Sequence, residues 1–167
     1  MIRAIAKTAS VIALLAAPMF AEGLPAPSGD VILTVTGAGV TNMGGAAALD
    51  LAMLEEMGGT EIETSTIWTE GKQTFEGVPL EALIDRLEIE GETLSAVAIN
   101  DYAVEIPTSD AVEGGPIIAY KMNGNPMSVR DKGPLWVIYP YDSDPAYQTE
   151  VIYSRSIWQL DRLDVVQ

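Results

Sequence analysis

The chain has 167 residues, enough for one domain with a sizeable core, and it contains neither cysteine nor histidine. Those absences exclude disulfides, thiolate nucleophiles, Ser-His-Asp machinery and every metal site built on imidazole or thiolate. A formal net charge of −15 opposes association with nucleic acid or anionic lipid surfaces.

Met1–Ala21 reads as a secretory signal: Arg3 and Lys7 form a charged start, Ala9–Ala17 an apolar middle, and Pro18–Ala21 a break ending on a small residue. Cleavage after Ala21 would release Glu22–Gln167 to the periplasm as a soluble single domain, the alternative being an uncleaved anchor. Losing Arg3 and Lys7 takes two positive charges from −15 and leaves −17. No later stretch approaches the roughly 18 apolar residues that a membrane span requires.

Val31–Thr36 is a β-branched strand closed by Gly37, and the glycine-rich stretch Gly37–Ala47 reads as a flexible loop without a GxGxxG fingerprint. Asp50 is placed to cap a short helix, Leu51–Met57, whose Leu51, Leu54 and Met57 have core spacing. Glu61–Trp68 alternates as a strand, and Thr69–Lys72 turns the chain. In Phe75-Glu76-Gly77-Val78-Pro79-Leu80, Gly77 permits a tight bend and Pro79 suits a helix start; Leu80, Leu83, Ile84 and Leu87 then lay one apolar stripe.

Leu94–Ile99 and Tyr102–Ile106 form a hairpin around Asn100-Asp101, and Ile117–Met122 is a strand ending at the type I′ pair Asn123-Gly124. Leu160, Leu163 and Val165 alternate with polar residues as a half-exposed last strand. The expected class is α+β, mainly β, with eight or nine strands in mixed sheets and two short helices.

Six of the eleven aromatic residues fall in Gly133–Trp158. Leu135–Tyr139 is a buried strand ended by Pro140, the Tyr141–Tyr147 loop carries Asp142, Asp144 and Pro145, and Glu150–Tyr153 is strand-like. Basic groups gather in the same third of the chain: residues 22–120 hold 18 acids against Lys72 and Arg86, whereas 121–167 hold six against Lys121, Arg130, Lys132, Arg155 and Arg162. Aromatic faces beside oriented charges suit a planar polar ligand, and an ordinary core strand with turn residues has the same composition. Trp136 and Tyr139, inside the apolar run, are expected in the core, and Asp144 before Pro145 is a turn residue.

Four motifs in this order, namely 75–80, Asn100-Asp101-Tyr102, 118–126 (IAYKMNGNP) and 133–140 (GPLWVIYP), resemble the molybdopterin-binding domain of sulfite-oxidase-type oxidoreductases over about residues 31–166. In the oxidoreductase members a cysteine shortly before the first motif ligates molybdenum. The corresponding segment here, Ser65–Thr69, has no soft sulfur donor. The chain is similar to small exported members of this fold that bind free pterins without a metal and report pterin status to a membrane signalling protein, such as a cyclic-di-GMP enzyme or a sensor kinase.

The resemblance implies a pterin ligand and no molybdenum. A carboxylate can accept from the amino-pyrimidinone edge of a pterin, with Asp142 the first candidate and Asp101 the second. Trp68, Tyr102, Tyr141 and Trp158 are candidates to stack on the ring, while Arg130, Arg155 and Ser156 would orient its carbonyl or hydroxyl groups. The expected product is a binding protein without catalytic residues. Alternatives are a molybdopterin-dependent oxidoreductase subunit with an unusual ligand set, a hydrolase using Asp142 and Asp144, and a structural adaptor.

Overall fold

The computed structural model describes residues 23–167, so the secretory signal read at Met1–Ala21 lies outside the described residues. In chain order the elements are β1 Leu33–Thr36, β2 Ala46–Leu49, α1 Leu51–Glu56, β3 Thr60–Ser65, β4 Lys72–Pro79, α2 Leu80–Arg86, β5 Thr93–Ala98 and β6 Ala103–Pro107. After them come β7 Ile117–Met122, β8 Asn125–Pro126, β9 Trp136–Ile138, α3 Glu150–Arg155 and β10 Leu160–Val166. The α+β, mainly β class is as expected. The third helix and the strand β2 were not.

The strands form two five-stranded sheets. The first has the order β2-β1-β10-β5-β6 and is mixed, because β1 and β10 run parallel while its other neighbours are antiparallel. The second has β3-β4-β7-β8 with β9 also on β7, all antiparallel. One continuous core joins them, including Leu33, Leu49, Phe75, Leu83, Leu94, Ile106, Trp136 and Tyr139. Trp136 and Tyr139 are fully buried, as the apolar run required.

Local rules account for several elements. The Asp50 carboxylate accepts from the Met53 N–H at 2.9 Å and caps α1. Its other oxygen accepts from the Ser28 and Gly29 N–H groups at 2.7 Å, which ties the lead-in segment to the helix start. On α2, Leu80, Leu83 and Leu87 are buried, the stripe that the spacing anticipated. Asn123 and Gly124 both have positive φ, as a type I′ turn requires.

Gly77 departs from the expected bend. It lies within β4 beside a register shift, and a Cβ there would meet the Ala119 backbone at 2.6 Å and fall inside the Ile118 carbonyl. Close approach of two strands requires this glycine. In β10, Leu160 and Leu163 are both buried although they are an odd number of residues apart. A bulge between Leu160 and Arg162 restores the inward face.

Candidate functional site

The two sheets are sewn together by the segment that precedes β10. Val137 N–H donates to Ile157 O at 2.9 Å, Leu160 N–H to Leu135 O at 3.0 Å, and Trp136 and Trp158 form a bridge pair, so Ile157–Leu160 lies alongside β9. Gln159 then crosses to the first sheet. Its N–H donates to Lys132 O at 3.0 Å, and its carbonyl accepts from Ile99 N–H at 2.9 Å. The backbone of Gln159 is left-handed, with φ of 53°. Such a conformation in a non-glycine residue marks a place where surrounding bonds dictate the backbone.

A cleft of about 310 Å³ opens at this seam, near the lower limit for small-molecule sites. Trp68, Tyr102, Tyr153 and Trp158 supply its aromatic walls, with Ala98 and Asn100 from the β5–β6 turn. Ser154, Ser156, Ile157 and Gln159 complete it. Trp68 sits at the centre of an aromatic cluster: its ring is edge-on to Trp136 at 5.8 Å, Tyr153 at 5.8 Å and Trp158 at 5.7 Å. These T-shaped contacts brace Trp68 and Trp158 while Trp158 remains 39% exposed. Behind them, the Lys132 ammonium lies 5.5 Å from the Trp136 ring and 5.7 Å from that of Trp158.

Of the nine residues expected at a ligand, Trp68, Tyr102, Ser156 and Trp158 line this cleft and the other five do not. Tyr141 is buried, its ring against Tyr153 at 5.6 Å and its hydroxyl donating to Ser156 Oγ at 2.6 Å. Burial pushes its phenol up to about 12. The expected stacking face is therefore covered by protein. Ser156 Oγ in turn donates to Ile152 O at 2.8 Å, so this hydroxyl holds α3 and is not directed at a ligand.

Asp142 accepts from Ser65 Oγ at 2.6 Å and Ser65 N at 2.8 Å, and these bonds hold its carboxyl below the ordinary range. It pins the end of β3 to the loop after β9. Asp101 pairs with Arg162, and Arg155 donates from Nη1 to both oxygens of Asp110 at 3.2 and 2.9 Å. Asp110 also accepts from the Tyr139 hydroxyl at 2.7 Å, and burial together with that bond pushes the Tyr139 phenol far up. Arg130 is exposed in the 3₁₀ turn Val129–Asp131, one residue past the carbonyl that holds the Gln159 side chain.

Tyr153, Ser154, Asn100 and Gln159 were not among the expected site residues. The first two belong to α3, which was read as a strand from the run Glu150–Tyr153. Thr149 gave the missed signal: it is an N-cap residue whose hydroxyl accepts from Ile152 N–H. The segment Ser65–Thr69 closes on itself, with Thr66 Oγ1 and Thr69 Oγ1 hydrogen-bonded at 2.8 Å and Trp68 N–H donating to Thr66 Oγ1 at 3.1 Å. It delivers an indole to the cleft. No group of three or more acidic side chains able to hold a metal ion occurs among the described residues.

The family model for the oxidoreductase molybdopterin binding domain matches residues 50–142. Among solved structures, the sulfane dehydrogenase SoxCD from Paracoccus pantotrophus is similar at 21% identity and a TM-score of 0.45, over 67% of this chain and 28% of that one. No curated protein matches the chain. The family match runs from α1 to β9, taking in the whole second sheet and the β5–β6 hairpin of the first, and the chain belongs to the oxidoreductase molybdopterin binding domain family, with a sulfite-oxidase-like fold and a pterin-type ligand implied.

Proposed function

We propose that Glu22–Gln167 is an exported domain that binds a pterin in the seam cleft without catalysing a reaction, and reports its occupancy to the periplasmic part of a membrane signalling protein. The observation that carries the ligand reading is the aromatic cleft itself, walled by Trp68, Tyr102, Tyr153 and Trp158 within a family of molybdopterin-binding domains. A flat bicyclic ring finds stacking faces there, braced by the T-shaped contacts of the two indoles.

Molybdenum fits this donor set poorly. The family resemblance puts a metal-binding thiolate near Ser65–Thr69, where this chain offers the hydroxyls of Ser65, Thr66 and Thr69 and an indole. None of these is a soft ligand. The non-catalytic reading follows from this chemistry, and the signalling partner and the export follow from the resemblance and from Met1–Ala21.

Titration of the purified protein with oxidised and reduced pterins, followed by quenching of tryptophan fluorescence, tests the ligand. Saturable one-to-one quenching supports it; failure of every pterin to bind removes it. Elemental analysis of protein made in a host competent in cofactor synthesis tests the metal, with one molybdenum per chain favouring the oxidoreductase alternative. Export predicts a mature N-terminus near Glu22 in a Gram-negative host, and intact Met1 on cytosolic protein would contradict it.

A further inference from the structure

The ten side chains around the cleft include no carboxylate, ammonium or guanidinium. Asp101 pairs with Arg162 and Arg155 with Asp110, and the Lys132 ammonium lies over the Trp136 and Trp158 rings. Asn100 and Gln159 bring two amides to the wall, and backbone groups fix how each is turned. Asn100 Oδ1 accepts from Tyr102 N–H at 3.2 Å, leaving its Nδ2 hydrogens without a partner among the described residues. Gln159 Nε2 donates to Val129 O at 2.7 Å, leaving its Oε1 free in the same way.

Asn100 thus presents a donor and Gln159 an acceptor, on neighbouring backbones joined by the Ile99 N–H to Gln159 O bond. A donor beside an acceptor complements a ring edge that offers a carbonyl next to an N–H, as the pyrimidinone of a pterin does. A carboxylate has no hydrogen to donate to the carbonyl and could accept only from the N–H. With 24 acids against nine bases, the field of the whole chain is unfavourable to an anion.

Resting on the pterin reading of the cleft, we propose that it selects an uncharged ring with this lactam-like edge: Asn100 Nδ2 donates to the ring carbonyl, Gln159 Oε1 accepts from the ring N–H, and pterins with a carboxylate or phosphate tail are disfavoured. The site differs in this from one built for a phosphorylated ligand, which calls for cationic groups in the wall.

Fluorescence titration with 6-methylpterin and with pterin-6-carboxylate, on the wild type and on Asn100→Asp, tests the proposal. Asn100→Asp keeps the oxygen that accepts from Tyr102 N–H, so the turn is retained while the free donor becomes an acceptor. The wild type should bind the neutral pterin at least about tenfold more tightly than the carboxylate, and N100D should bind the neutral pterin at least about tenfold more weakly than the wild type. Equal or tighter binding of the carboxylate, or unchanged affinity in N100D, overturns this inference while the pterin reading stands. Absence of binding by both pterins to the wild type overturns the two together.

Discussion

The hydroxyl of Tyr141 donates to that of Ser156 at 2.6 Å, and Ser156 passes the chain on to Ile152 O at 2.8 Å. Two residues expected at the ligand are thereby joined to each other, with Tyr141 buried and Ser156 in the cleft wall. Tyr141→Phe removes the donor and leaves Ser156 able to donate to Ile152. The variant should lose about 0.5–1.5 kcal/mol in urea unfolding and keep its pterin affinity. A larger loss of affinity than of stability would move Tyr141 into the site.

Trp158 has the opposite standing, exposed at the cleft and braced from behind by Trp68 and Trp136. Trp158→Ala should weaken pterin binding by about 1–3 kcal/mol, the range for stacking of a flat heterocycle on an aromatic side chain. Calorimetric titration measures it. Unchanged affinity would place the ring elsewhere.

Asp142 is held by Ser65 from a distance of 77 residues along the chain and does not line the cleft. Asp142→Asn should change pterin affinity by well under tenfold, since a tenfold change needs about 1.4 kcal/mol of lost interaction and Asp142 is not in the cleft wall. A drop of tenfold or more in the same titration would restore it as a ligand residue.

Stability should fall in acid through carboxylates with depressed pKa. The Met53 N–H bond to Asp50, followed by that from Gly29, lowers its pKa from the ordinary 3.8 to about 2, and Asp142 is lowered by its Ser65 bonds. A lowered folded pKa contributes stability above the unfolded value, and that contribution is lost as pH falls from about 4 towards 2. Asp50→Asn should flatten the dependence of the urea midpoint on pH within that window. It should also free the Ser28–Gly29 segment, because an amide nitrogen replaces an oxygen that accepts two backbone N–H groups.

Gly77→Ala places a methyl group against the Ile118 and Ala119 backbone, where no side-chain rotation relieves it. The expected cost is about 1–3 kcal/mol or more, seen as a lower urea midpoint or as insoluble protein. Wild-type stability in this variant would contradict the close approach of β4 and β7.

Local patterns in the sequence determined the α2 stripe at Leu80, Leu83 and Leu87, the cap at Asp50, the turns at Asn100-Asp101 and Asn123-Gly124, and the burial of Trp136 and Tyr139, because each depends on neighbours within a few residues. The order of motifs, being a property of the whole string, identified the family. β2 escaped because its three alanines have weak strand preference and it is stabilised by pairing with β1. α3 escaped because a run of four residues reads equally as strand or helix, and its anchor Asp110, bonded to Arg155, comes from 45 residues away in the chain. Membership of the cleft was decided by the fold alone. Composition supplies aromatics and acids, but which are consumed by partners dozens of residues away, as Asp142 is by Ser65 and Arg155 by Asp110, is fixed only when the sheets pack, and the left-handed turn at Gln159 that aims the cleft wall is held by bonds to both sheets.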